Sequence, residues 1–125
     1  MSDFLTLFTK EIKNNLPGYI AFSIINFETE EIITSHSSRS DFDVSVGLAS
    51  SLQVAKSNRK ALTASGITSD INEVLITLDT KLEIMDFSEN EEFMCYLAVD
   101  SSLANLGMTR SLFNKYKKDI VRELN

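Results

Sequence analysis

The sequence predicts an α+β domain, in which helices are layered on a mainly antiparallel sheet. Two observations indicate this fold class. First, helix-type and strand-type apolar patterns follow one another in the order helix, two strands, helix, three strands, helix. Second, four of the five strands form hairpin-like pairs joined by short polar turns, which is typical of antiparallel pairing. The 125 residues suit one domain, and we expect residues 1–125 to form it.

Three segments carry helical periodicity. Residues 3–15 follow the helix-capping side chains of Ser2 and Asp3, and the Asn-Asn-Leu-Pro-Gly run at 14–18 ends them. The second helix is predicted from about 43 to 65, where Gly66 stops it. The third is predicted over 105–124, with Asn105 as its cap. Apolar residues recur at steps of three and four in each segment, so each has one buried face.

Five strands are predicted from β-branched and aromatic residues: 19–27, the Ile-Ile-Thr-Ser-His-Ser run at 32–37, 73–79, 81–87 and 92–100. The first is apolar on both faces, which predicts that helices cover the sheet on both sides. The second is more polar, and we expect it at an edge of the sheet.

Composition and charge exclude several classes of function. The formal net charge is −6, which disfavours binding to nucleic acid. A single cysteine, Cys95, allows no internal disulfide, and no apolar run reaches the length of a membrane span, so we expect a cytoplasmic protein without membrane insertion. Six acids face one lysine over 79–92, whereas five bases face two acids over 110–125. These segments are interpreted as two solvated surfaces or, alternatively, as a docking surface of mixed sign.

No residue pattern predicts a reaction centre, a metal site or a cofactor site. Gly107 stands alone in a Ser-rich corner without the Gly-Lys-Ser/Thr of a phosphate loop, so we interpret it as a small residue that brings a helix close to the sheet. His36 is predicted to be a solvated loop residue and Cys95 an inert, packed thiol. Glu83 and Asp86 lie three apart in a strand, hence on opposite faces, and do not form an acid–base pair.

A surface for self-association is the prediction that stands out. Small residues form a second row along the middle helix, and they would let another helix approach closely. The strand after it is apolar and lacks the proline or lysine that protects a free edge. Pairing of two copies about a two-fold axis explains both features. The predicted dimer interface comprises Gly47, Ser50, Val54, Ser57, Ala61, Val74, Leu75 and Ile76.

Three segments resemble the roadblock domain, the family of dynein light chains and of bacterial and archaeal small-GTPase regulators. LPGYIAFSIINFETEEIITS is similar to its opening strand pair, and GLASSLQVAKSNRKAL to its central helix rich in small residues. The corner Asn105-Leu106-Gly107, with Arg110 after AVDSSLA, resembles its closing strand-to-helix signature. The chain departs from the family at Glu28-Thr29-Glu30, where a glycine is often found, and in its Ser-rich loop at 35–43.

The resemblance implies a profilin-like, five-stranded antiparallel sheet with one helix on one face and two on the other. It also implies a non-enzymatic homodimer or heterodimer with a paralogous roadblock chain, which binds a small Ras-like GTPase or acts as an adaptor and has no cofactor. Arg39, Arg59 and Arg110 are the candidates if an arginine is supplied to that partner. A ligand-sensing domain of the PAS or longin type remains an alternative, and a hydrolase using His36 is a remote one.

Overall fold

A computed structural model of the chain describes residues 3–125. It contains three helices, five strands and one short 3₁₀ turn. In chain order these are α1 (Asp3–Asn15), β1 (Tyr19–Asn26), β2 (Ile32–Ser37), α2 (Val44–Ala64), β3 (Glu73–Thr77), β4 (Lys81–Phe87), the 3₁₀ turn (Glu89–Glu91), β5 (Phe93–Asp100) and α3 (Leu106–Leu124). The predicted helices and strands are all present, with ends that differ by at most two residues. Ser2, one of the two predicted helix-capping residues, lies outside the described residues.

The five strands form one antiparallel sheet in the order β2-β1-β5-β4-β3. The chain therefore has the predicted α+β architecture, and β2 lies at an edge as expected. The two central strands are β1 and β5, which are buried on both faces along almost their whole length. This explains why their sequences are apolar at odd and even positions alike.

One face of the sheet is covered by α1 and α3. Their apolar stripes pack with alternate residues of the strands, including Phe22, Ile24, Ile84 and Leu97. Aromatic rings dominate this layer, and Phe8 contacts four of them, the shortest centroid distance being 4.5 Å to Tyr116. Burial of several large rings makes this layer a major contributor to stability.

The opposite face is covered by α2 alone. Leu48 and Ala55 of α2 pack on Ile20, Met85 and Tyr96 of the sheet. This arrangement of one helix against two is the one that the roadblock resemblance implies.

Helix caps and turns follow the local chemistry of the sequence, with one exception. The Asn105 side chain accepts a hydrogen bond from the Met108 N–H, as expected of a helix N-cap. Glu30 adopts a left-handed backbone with φ of 65° in the turn that lacks a glycine. The interpretation of Gly107 is wrong. Gly107 is exposed, and a Cβ there would meet only the Asn105 side chain at 3.4 Å, so it does not bring α3 close to the sheet.

Candidate interaction surface

The predicted interface residues of α2 lie on the outer side of the helix, with one exception. Ser50, Ser57 and Ala61 are exposed, and Val54 keeps 40% of its surface exposed. The neighbouring row faces inward, with Leu48, Ser51 and Ala55 buried. Because α2 has 21 residues and only these three are buried, most of the helix lies outside the monomer core.

Gly47 has a role within the chain itself. A Cβ at this position would lie 2.5 Å from the Tyr96 Oη and 3.1 Å from the Phe42 ring. Glycine is therefore required for the first turn of α2 to approach β5, and Gly47 is only half-buried rather than fully exposed. The contact with Tyr96 within one chain therefore explains the glycine at position 47, without any pairing of two copies.

The residues of β3 complete the surface. This strand pairs with β4 on one side and with no other strand among residues 3–125. Val74 and Ile76 pack toward the core under α2, whereas Leu75 points to the other face and is 36% exposed. A free edge of this kind carries unpaired backbone N–H and C=O groups that can accept another strand.

Exposed large apolar side chains concentrate in this part of the molecule. Five of the nine among the described residues lie between the start of α2 and the residue that follows β3: Val46, Val54, Ile67, Leu75 and Leu78. We call the outer row of α2 together with the free edge of β3 the α2–β3 surface. Apolar side chains beside a free sheet edge are typical of an interaction site.

The acidic segment at 79–92 is not simply a solvated surface, contrary to the simpler of the two interpretations. Glu83, Asp86 and Glu91 are all buried, with less than a tenth of each exposed. Buried carboxylates need partners, and each has one here. These three acids therefore belong to the folded interior, while the other three (Asp79, Glu89 and Glu92) remain exposed or half-buried.

Glu91 ties the C-terminal half of α2 to the sheet. Its carboxylate accepts hydrogen bonds from Arg59 at 2.6 Å and from the Ile71 N–H at 2.8 Å. The same guanidinium donates to the carbonyls of Ile67 and Ser69. Arg59 thus holds the segment that connects α2 to β3, which positions the two parts of the α2–β3 surface.

Glu83 lies beneath the first turn of α2. It accepts a hydrogen bond of 2.5 Å from the Tyr96 hydroxyl. Burial, with the carboxylate as a second cause, raises the pKa of Tyr96 well above its ordinary value. Tyr96 therefore remains a hydrogen-bond donor throughout the physiological range and keeps this buried carboxylate paired.

Asp86 lies on the other face of the sheet, as its spacing from Glu83 predicts. Its carboxylate is 3.4 Å from the Lys117 ammonium group. Burial raises the pKa of Asp86 to about 6, although Lys117 acts in the opposite direction. Nearby, Arg110 forms a two-bond contact with Glu73 at 2.8 and 2.9 Å. Part of the positive charge of α3 is thus neutralised by carboxylates of the same chain, one of them in the acidic segment.

The candidate arginines are all engaged in ion pairs. Arg59 binds Glu91, Arg110 binds Glu73, and Arg39 binds Asp41 at 3.1 Å. Arg59 is the most enclosed of the three and is the least suited to reach a partner. Exposed pairs such as Arg39–Asp41 contribute little and separate readily.

His36 and Cys95 differ in how well the sequence predicted them. His36 belongs to strand β2 rather than to a loop, and its Nε2 lies 2.9 Å from the Thr34 hydroxyl. Cys95 is packed in the interior as predicted, and burial raises the pKa of its thiol well above the ordinary value.

Two further findings concern metals and membranes. No group of three or more His, Cys, Asp or Glu among the described residues is arranged to hold a metal ion. None of the three helices in residues 3–125 combines the length and the apolar character needed to cross a bilayer. The larger cavities among residues 3–125 open to solvent rather than being enclosed between the sheet and a helix.

Solved structures place this architecture in the roadblock/LC7 fold. A roadblock/LC7 domain from Streptomyces avermitilis superposes with a TM-score of 0.77 at 14% identity, covering 98% of both chains. The roadblock resemblance of the sequence is thereby confirmed at the level of the fold.

Two further structures extend the comparison. The gliding protein MglB from Thermus thermophilus has a TM-score of 0.72 at 10% identity, covering 98% of this chain and 91% of its own. MglC from Myxococcus xanthus has a TM-score of 0.61 at 16% identity, covering 96% and 98%. No family model matches the sequence, and no curated protein matches it significantly.

Proposed function

We propose that this chain is a non-enzymatic, cytoplasmic regulator or adaptor that dimerises through the α2–β3 surface and presents a platform to a small Ras-like GTPase. Its partner in the dimer is a second copy or a paralogous roadblock chain. The proposal treats residues 1–125 as one roadblock-like domain. The observation that carries it is the exposed row of α2 beside the unpaired edge of β3.

Dimerisation about a two-fold axis accounts for this surface in physical terms. Antiparallel pairing of two β3 strands would satisfy the free backbone groups and join two five-stranded sheets. The small side chains of Ser50, Ser57 and Ala61 leave room for a second α2 to approach, and Val54 would lie buried between the helices. Two adjacent α2 helices form a face that a single copy lacks.

The proposal of a GTPase partner depends on the roadblock resemblance. The ion pairs within the chain indicate how the dimer would act on such a partner. The ion pair of Arg59 and the surface pairs of Arg39 and Arg110 leave none of these three arginines without a carboxylate. We expect such a dimer to act by orienting the partner's own residues, since Arg59 is enclosed and Arg39 and Arg110 would each have to leave a carboxylate before supplying a charge.

Molar mass in solution tests the dimer. Light scattering coupled to size-exclusion chromatography is expected to give about 28 kDa, twice the 14.0 kDa of one chain. Val54→Glu introduces a charge that pairing would bury without a partner, so it is expected to give the monomer mass. Leu7→Glu is the matched control, since Leu7 is 52% exposed on α1, and it should remain dimeric.

Two results would contradict the dimer: a monomer mass for the unaltered chain at tens of micromolar, or equal effects of Val54→Glu and Leu7→Glu. Binding is then measured with purified small GTPases encoded near this gene, loaded with GDP or with a non-hydrolysable GTP analogue. Co-elution with the unaltered chain and its loss in Val54→Glu are expected. An intact dimer that binds neither form would overturn the GTPase half alone.

A further inference from the structure

A groove of about 390 Å³ lies between α1 and β2, away from the α2–β3 surface. Its two β2 residues, Thr34 and His36, are paired with Ile24 and Phe22 of β1, which belong to the core beneath α1. The groove is therefore on the α1 side of the sheet. Its volume falls within the range of roughly 300–1,000 Å³ that is typical of small-molecule sites.

The groove is cationic in an acidic protein. Lys10 and Lys13 line it from adjacent positions on one face of α1, and both are exposed. Neither lysine forms an ion pair within residues 3–125, and no carboxylate lines the groove. A concave site with charge of one sign attracts ligands of the opposite sign.

Thr9 supplies a second, independent observation. This residue lines the groove and is only 8% exposed, yet its hydroxyl has no hydrogen-bond partner among the described residues. A buried hydroxyl without a partner is costly and rare in folded proteins. The Oγ1 is itself shielded from solvent, so the side chain would turn about its Cα–Cβ bond to donate to a ligand oxygen in the groove, and this would remove that cost.

The opposite wall of the groove carries a further donor. The Thr34 Oγ1 and the His36 Nε2 are 2.9 Å apart. Burial, and then the charge of Lys13, lowers the pKa of His36, so the ring is neutral at pH 7. When the ring N–H donates to Thr34, the threonine hydroxyl is free to donate to a ligand.

We propose that this groove binds the phosphate monoester group of a small molecule. Lys10 and Lys13 balance the two negative charges of the group, and the Thr9 and Thr34 hydroxyls donate hydrogen bonds to its oxygens. The remaining volume accommodates the organic part of the ligand. This site is independent of dimerisation, because it lies on the other face of the sheet from α2.

Amide NMR spectroscopy of the full chain tests the site. The protein is titrated with inorganic phosphate and with glycerol 3-phosphate, and sodium chloride keeps the ionic strength constant. Saturable shifts are expected at residues 6–14 and 34–37. Lys13→Gln should weaken binding about tenfold and Thr9→Val about fivefold, because each removes a donor to a charged group. Lys118→Gln, an exposed lysine of α3, is the control and should bind unchanged.

The outcomes separate clearly. Tighter binding of glycerol 3-phosphate assigns the groove to phosphorylated small molecules, and equal or tighter binding of inorganic phosphate assigns it to the free ion, so both support the phosphate chemistry. Linear, non-saturating shifts, or equal losses in Lys13→Gln and Lys118→Gln, overturn the site. Thr9→Val should retain or raise the thermal midpoint of the unaltered chain, because it removes an unpartnered buried hydroxyl, so that its loss of binding cannot be ascribed to unfolding.

Discussion

The two faces of the sheet differ in how completely the chain itself buries the helices that cover them. On one face, α1 buries four of 13 residues and α3 four of 19, and together they enclose a cluster of aromatic rings. On the other, α2 buries three of 21 residues and leaves a row of small side chains and Val54 in solvent beside the free edge of β3. The chain closes the first face by itself. The second retains apolar surface that the monomer does not use, and this is the surface that we propose for association.

The partners of buried charge follow the same division. On the α1–α3 face, Asp86 is paired with the Lys117 side chain, which α3 supplies. On the α2 face, Glu83 and Glu91 are held by Tyr96 and Arg59, and both contacts position α2 or the segment that follows it. Buried contacts therefore hold α2 and the segment after it against the sheet, while the outer row of α2 stays exposed.

The largest effect is expected from Phe8→Ala, which removes the central ring of the α1–α3 face. Loss of a fully buried phenyl group should lower the free energy of unfolding by about 3–5 kcal/mol. Val54→Ala, on the outer row of α2, should cost less than about 1 kcal/mol to the monomer. Urea denaturation of both variants at low protein concentration measures the contrast, and equal losses would refute the division between the two faces.

Asp86→Asn should change the pH dependence of stability. The pKa of Asp86 is raised from 3.8 to about 6 in the folded chain, so folding binds a proton between these values. The contribution of this proton to the free energy of unfolding is fully present below about pH 4 and is lost as pH rises through 6. The change amounts to about 2–3 kcal/mol. Relative to the unaltered chain, the variant should therefore gain stability over that window.

Denaturation midpoints from pH 4 to 7 measure this effect. Asp41→Asn is the matched control of opposite sign. Arg39 lowers the pKa of the exposed Asp41, so any stability from that pair disappears as pH falls. A variant of Asp86 whose curve stays parallel to that of the unaltered chain would show that Lys117 compensates for burial.

A pair of glycine substitutions sharpens the comparison at the two helices. Gly47→Ala places a methyl group against the Tyr96 hydroxyl and should destabilise by about 1–3 kcal/mol. Gly107→Ala meets only the Asn105 side chain, at an ordinary contact distance of 3.4 Å, and should stabilise by about 0.5–1 kcal/mol. Thermal midpoints distinguish the two, and stabilisation by both would show that α2 does not need to approach β5 so closely.

The smallest effect is expected at the hairpin between β1 and β2. Glycine adopts the left-handed backbone of residue 30 without strain, so Glu30→Gly should raise the free energy of unfolding by about 0.5–1 kcal/mol. The greater conformational freedom of glycine in the unfolded chain offsets part of this gain. Among residues 3–125, the one ion pair lost is a long, exposed contact of 3.9 Å with Lys56. Glu30→Ala is the control, since alanine removes the same carboxylate without relieving the backbone, and it should show no gain.

Prediction from the sequence succeeded for the secondary structure and for the layers. Apolar spacing located each helix and strand, and the cap at Asn105 is where its side chain predicts. The errors concern contacts between distant segments. Gly107 was expected to touch the sheet and does not, whereas Gly47, assigned to a surface row, is the glycine that a close contact with Tyr96 requires. Burial of the acids at 83, 86 and 91 was likewise not expected as a group.

The candidate surfaces show the same limit. The outer row of α2 could be predicted because helical spacing determines which side chains share a face, and the structure leaves that row exposed apart from Gly47. The groove between α1 and β2 was not predicted. Lys10 and Lys13 are ordinary helix-surface residues in the sequence, and the only hint was that Thr9 interrupts an apolar stripe. Its neighbours Thr34 and His36 are more than 20 positions away.

The sequence by itself determined the periodicities, the caps, the turns and thereby the layered α+β architecture, because these depend on interactions between residues close in the chain. Only the tertiary structure decided which acids are buried, which arginine holds the segment after α2, and which side chains converge between α1 and β2. Those features depend on contacts between segments tens of residues apart, and the packing of the whole sheet brings such segments together.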